Sequence, residues 1–346
     1  MKVLFIGGTG TISSAVSRLG LELGWELFHL NRGSRKGEFA GVTQIDCDVR
    51  TESALSVREK LEKLLGRGRK FDAAADFIGF VPEHVQKDFD ILDGLCGQFI
   101  YISSASAYQK PPSSYLVTES APLSNPLWAY SRDKIACEEY LTRMYRERGF
   151  PITIVRPSHT YDERSVPLGV HGKGGSWQVI KRIIDGKEVI IHGDGTSLWT
   201  ITHNSDFANA FARLTGNVHA IGEAVHITSD ESVTWNQIYG IIAGALNVQL
   251  KAVHIASGFL DECSGGLYDF RGSLMGDKSN SVVFDNTKIK RLAPGFCARV
   301  RADEGIRKTV ANVLAHPKLQ TEDPEFDAWC DRVIAAVKGA RAGFTV

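Results

Sequence analysis

The chain has 346 residues, 43% of them hydrophobic and 23% charged, which is a globular composition and excludes disordered, collagen-like and coiled-coil classes. Its 40 Lys and Arg balance its 40 Asp and Glu, so neither nucleic acid nor an anionic membrane surface is expected as a partner. No apolar run reaches ~18 residues, the six cysteines form no CxxC pair and the ten histidines no HExxH spacing, so the expectation is a cytoplasmic protein with reduced thiols, no bilayer span and no metal site.

Short apolar segments at 2–6, 26–30, 42–47, 72–77, 98–103 and 151–156 read as strands. Amphipathic segments at 12–23, 51–65, 83–95 and 130–146 read as the helices between them. This alternation predicts an α/β protein with a doubly wound parallel sheet, covered on both faces, with ligands at the carboxyl ends of the strands. Beyond Pro157 the pattern loosens. A loop with four glycines spans 169–175; helices are expected at 177–185, 206–215, 235–246, 303–315 and 323–338, and strands at 188–192 and 224–228. Residues 1–160 are expected to form a dinucleotide-binding domain, to which about 188–228 returns. Residues 161–346 are expected to form mainly a smaller mixed α/β substrate-binding lobe.

The first strand runs into Gly7-Gly8-Thr9-Gly10-Thr11-Ile12-Ser13 and then a helix. Glycines there permit a tight turn and close approach of backbone N–H groups to a pyrophosphate, which the helix dipole favours. Ser13 takes the place of the usual third glycine. The second strand ends in Asn31-Arg32, with Arg35 and Lys36 following and no carboxylate to hold ribose hydroxyls. Those cations suit a 2′-phosphate, so the cofactor is read as NAD(P), leaning to NADP. Asp48, after the third strand, is an expected adenine contact, and Phe77 and Pro157 are further expected cofactor neighbours.

Ser103-Ser104-Ala105-Ser106-Ala107-Tyr108 closes the fifth strand, and a later helix carries Tyr130-Ser131-Arg132-Asp133-Lys134. Tyr130 and Lys134, at i and i+4, share a helix face. An ammonium beside a phenol favours the phenolate and lowers its pKa, which suits a general acid/base. Together with the glycine loop, this set resembles the extended short-chain dehydrogenase/reductase superfamily of the NAD-dependent epimerase/dehydratase type. The resemblance covers nearly the whole chain: Val155-Arg156-Pro157, Thr202-His203-Asn204-Ser205-Asp206, Gly222-Glu223-Ala224-Val225-His226-Ile227 and Asp303-Glu304-Gly305-Ile306-Arg307 are similar to its later motifs. It implies a Rossmann-type fold, with Ser104, Tyr130 and Lys134 as the catalytic residues. It also implies that Lys134 binds cofactor ribose and that hydride moves at a carbinol or carbonyl carbon of a sugar or sugar-like substrate.

The departures narrow this. Ser104-Ala105-Ser106 lacks the acidic pair of the sugar dehydratases. Trp199 and the Leu274-Met275 pair stand where the sugar-nucleotide members place arginines for the diphosphate, so a substrate without a nucleotide diphosphate is expected. Ser106, Tyr108, His159 and Trp199 are the candidate substrate contacts. The alternatives are a carbonyl reductase of a non-sugar ketone and a non-catalytic dinucleotide sensor on the same scaffold. A homodimer is the candidate assembly.

Overall fold

The computed structural model describes residues 1–33 and 39–344. Seven strands form one parallel sheet: β1 (Lys2–Ile6), β2 (Glu26–Asn31), β3 (Thr43–Asp46), β4 (Ala73–Asp76), β5 (Phe99–Ile102), β6 (Ile152–Pro157) and β7 (Ala224–Ile227). Their spatial order is β7-β6-β5-β4-β1-β2-β3, and every neighbouring pair is parallel. The order reverses at β1, so the crevice at its carboxyl end is the natural ligand site.

Alternation along β1 explains why both faces are covered. Leu4 and Ile6 enter a core with α2 (Ala54–Leu65), α3 (Pro82–Leu92) and α4 (Ala129–Arg148). Val3 and Phe5 enter the opposite core, with α1 (Thr11–Glu22) and the helix Asn204–Leu214, through Val16, Phe207 and Phe211. Each strand therefore reads as a continuous apolar run. Ser53 caps α2 by accepting the Ser56 N–H at 3.2 Å, which starts the helix three residues later than expected at 51. The helix expected to reach residue 95 stops at Leu92.

A third core builds the lobe around Trp235, Ile238, Tyr239, Ile306 and Trp329. There Val189–His192 pairs with Ala252–Ile255 in a separate two-stranded parallel sheet. The pair His159–Tyr161 and Ile201–His203 runs out from the end of β6. Several elements have no counterpart in the sequence expectations, notably the helix Ser257–Ser264 and the π-helix Arg271–Lys278. Among the described residues no helix is long and apolar enough to cross a membrane, and no group of three metal-ligating side chains occurs.

Candidate active site

A cleft of about 770 Å³ lies at the carboxyl ends of β1, β2 and β4. Gly7, Gly10, Thr11, Ile12, Asn31, Arg32, Asp48 and Phe77 all line it. Gly7 has φ +84°, and a β-carbon there would lie 2.5 Å from Ile78. A β-carbon on Gly10 would meet only Ser13 Oγ, at 3.5 Å, so the space beside Gly10 belongs to the cleft. The first turn of α1 carries no acidic side chain to compete for its positive end. The Gly10 N–H is taken by Ser13 Oγ at 2.8 Å, while Thr11 and Ile12 present the helix N-terminus to the cleft, a setting that fits the diphosphate of a dinucleotide. Arg164 and Asn204, from beyond the sheet, hold Thr11 by hydrogen bonds of 3.1 Å each.

Gly8 packs inward. A β-carbon there would run into the His29 ring, which is itself tied to Ser17 Oγ by a 2.9 Å hydrogen bond. Gly8→Ala should therefore destabilise the fold by about 1–3 kcal/mol, the usual cost of overpacking. A thermal melt showing an unchanged midpoint would contradict this.

Asn31 lines the cleft, but its Oδ1 accepts the Gly8 N–H at 3.1 Å, so its amide fastens the glycine loop. Arg32 is exposed at the rim; Arg35 and Lys36 lie outside the described residues. Asp48 Oδ1 accepts the Arg50 N–H at 3.0 Å, so Asp48 is a turn residue as well as a cleft residue. Below it Arg50 bridges the buried Asp76 and Asp88 at 3.0 and 3.2 Å.

Ser104, Tyr130, Lys134 and Pro157 come together where this cleft meets a second, smaller pocket. β5 delivers Ser104, whose Oγ accepts the Ser106 N–H at 3.2 Å and lies 2.9 Å from Ser106 Oγ. The first turns of α4 deliver Tyr130 and Lys134. Lys134 Nζ donates to the carbonyls of Gly79 at 2.6 Å and Ile102 at 2.7 Å, and stands 5.7 Å from the centre of the Tyr130 ring. Burial pushes the Lys134 ammonium down to about 8. Tyr130 departs from expectation. Burial raises its phenol above the ordinary value, and its hydrogen bond with Ser104 opposes this.

The second pocket, about 260 Å³, is lined by Ser104, Ser106, Tyr130, His159 and Trp199. Trp199 Nε1 donates to His159 Nδ1 at 3.1 Å, which leaves the imidazole proton on Nε2. Burial, Lys278 and His171 hold His159 down to about 3, so it is neutral. Tyr108 does not join them. It is 2% exposed, its hydroxyl lies 3.1 Å from His226 Nδ1, and Arg156 stacks over its ring. Its expected substrate contact is withdrawn, because the ring packs behind the strand end. Sequence reasoning missed Trp128, whose ring centre lies 4.9 Å from that of Tyr130, and the Lys110–Asp277 pair across the pocket. Proximity to Tyr130 in the chain was the only available signal for Trp128; none existed for Lys110.

Known proteins agree with this architecture. The model of the NAD-dependent epimerase/dehydratase family matches residues 3–228. A dTDP-glucose 4,6-dehydratase of an Actinoplanes species is 24% identical over 337 residues, covering 90% of this chain and 97% of the relative. The UDP-glucuronic acid 4-epimerase of Bacillus cereus, solved with UDP-glucuronic acid and NAD, superposes with a TM-score of 0.72 at 17% identity, covering 91% and 99% of the two chains. The UDP-glucose 4-epimerase of Thermotoga maritima gives 0.70 at 20% identity, with the same coverage of each chain. These structural likenesses establish the fold, while the family match, extending through β7, goes further: this chain belongs to the NAD-dependent epimerase/dehydratase family.

Proposed function

We propose that the protein is an NAD(P)-dependent epimerase or oxidoreductase acting at a carbinol or carbonyl carbon of a sugar or sugar-like substrate. The observation that carries this reading is the position of Tyr130 and Ser104 at the junction of the two cavities, with Lys134 fixed behind them. The Ser104 hydroxyl holds the substrate oxygen. Tyr130 acts as the phenolate when it takes the proton of that oxygen on oxidation and as the phenol when it returns it on reduction, the ionised form working against the burial that raises its pKa. The bound nicotinamide supplies the hydride acceptor and donor. Lys134 uses two of its three N–H bonds on the Gly79 and Ile102 carbonyls, and the third remains for cofactor ribose. Incubation of the purified protein with dinucleotide and candidate sugars, followed at the reduced-nicotinamide absorbance, tests this. Absence of dinucleotide binding would remove the reading altogether.

The preference for NADP over NAD rests on Arg32 and on the absence of a carboxylate at the end of β2. Arg32→Ala should weaken the phosphorylated dinucleotide by ~1.5–3 kcal/mol, the range for a charged hydrogen bond, and scarcely affect NAD. Equal loss for both, or a wild type that prefers NAD, would end this preference.

The reading of a substrate without a nucleotide diphosphate has support from two places. Trp199 has its one N–H committed to His159, and Leu274 is fully buried. Against it stand the UDP- and dTDP-sugars named for the similar proteins. Lys110 and Lys278 in the pocket also weaken an argument from missing arginines. Calorimetric titration with uridine diphosphate decides between them: micromolar binding that competes with substrate restores the diphosphate.

A further inference from the structure

Among the described residues, the small pocket holds one cation, Lys278, that makes no ion pair. Its charged lining residues are Lys110, Asp277 and Lys278. Lys110 Nζ lies 3.1 Å from Asp277 Oδ1, with side chains only 2% and 13% exposed, so that pair closes on itself. Lys278 has no ion pair and no side-chain hydrogen bond among the described residues, and Asp277 only partly offsets the burial that disfavours its charge.

The backbone of Lys278 is, by contrast, firmly held. Its carbonyl accepts from Trp235 Nε1 at 3.0 Å and Ser197 Oγ at 3.3 Å, and His192 Nε2 lies 3.2 Å away. The residue ends the π-helix Arg271–Lys278, a rare geometry that recurs at functional sites. That segment is also seated tightly, since a β-carbon on Gly276 would come within 3.2 Å of Trp128. The pocket thus anchors a lysine and leaves its ammonium unpaired beside the neutral His159, whose Nε2–H is a second donor. The ammonium is half-buried in the pocket without a hydrogen-bonded partner of its own, and an anionic ligand would supply one.

Resting on the function proposed above, we propose that Lys278 seats an oxyanion of the substrate, the carboxylate of a sugar acid, in the same pocket as Tyr130. A pocket of about 260 Å³ shared with Ser104 and Tyr130 places this charge close to the reacting carbon. The diphosphate of a sugar nucleotide is the other source of an oxyanion.

The test is calorimetry on the full chain saturated with dinucleotide, using D-glucuronate, D-glucose and uridine diphosphate as probes. Wild type should bind glucuronate roughly 10- to 100-fold more tightly than glucose, the value of one charged hydrogen bond. Lys278→Met should abolish that ratio without weakening glucose, and Lys278→Arg should recover part of it. A thermal melt of Lys278→Met at or above the wild-type midpoint excludes misfolding as the cause. Equal binding of acid and neutral sugar by wild type, or an unchanged ratio in Lys278→Met, overturns the proposal. Loss of uridine diphosphate binding in Lys278→Met, without discrimination between the two sugars, overturns the carboxylate and assigns the cation to phosphate. These readouts require no turnover, so they stand or fall separately from the roles given to Tyr130 and Ser104.

Discussion

Tyr130→Phe should reduce turnover by roughly 10²–10⁴, the usual contribution of a positioned general acid/base, and leave dinucleotide affinity nearly unchanged. The substitution removes one hydroxyl and keeps the ring. Its packing against Trp128, at 4.9 Å between ring centres, and the Lys134 ammonium 5.7 Å away stay in place. The proton path is lost, together with the hydrogen bond to Ser104. Steady-state kinetics with any active substrate, beside a dinucleotide titration, checks both halves. A near-normal rate would mean that another group carries the proton.

Lys134→Met should damage both properties. Dinucleotide affinity should fall roughly 10- to 100-fold, the value of one charged hydrogen bond, and turnover should fall with it. The carbonyls of Gly79 and Ile102 also lose their donor, so a lower melting midpoint is expected. The pH dependence separates the two effects. An ammonium has three N–H bonds, and two are committed, so the third exists only while Lys134 is charged. Wild-type dinucleotide affinity should therefore decline as pH rises through about 8, while that of Lys134→Met stays flat. Stability moves the opposite way. The folded value lies below the unfolded one of ~10.4, so the unfolded chain holds the proton longer, and this group makes the fold more stable as pH rises from about 8 towards that value. A wild-type affinity independent of pH between 7 and 9.5, against the ~10.4 reference for a free lysine, would show that Lys134 does not bind the cofactor through its charge.

The strand–helix alternation, the glycine loop and the Tyr130–Lys134 pair were legible in the sequence because each is a local property. An apolar run between turn residues is a strand in almost any context, and an i,i+4 pair shares a face on any helix. The long elements accordingly lie close to their expected places, such as Trp235–Leu246 and Ile152–Pro157. Two- and three-residue strands such as Leu198–Trp199 and His159–Tyr161 carry no periodicity and emerge only when partners meet.

The substrate pocket belongs to the second category. Tyr108 and Ser106 stand two residues apart on the same strand end, yet only Ser106 lines the pocket; the 3₁₀ turn Ala105–Ala107 rotates Tyr108 towards His226 and Arg156. Trp128, Lys110 and Lys278 meet there from separate segments, placed by the packing of the π-helix against Trp128 and by three donors converging on one carbonyl. The sequence by itself determined the fold class and where the dinucleotide loop and the Tyr130–Lys134 helix lie, because backbone periodicity and turn chemistry act over a few residues. The identity of the pocket's walls and the unpaired charge within it were decided by tertiary structure alone, because side-chain direction and burial depend on contacts between residues far apart in the chain, from the 43 positions between Trp235 and Lys278 to the still longer separation of Lys110 and Asp277.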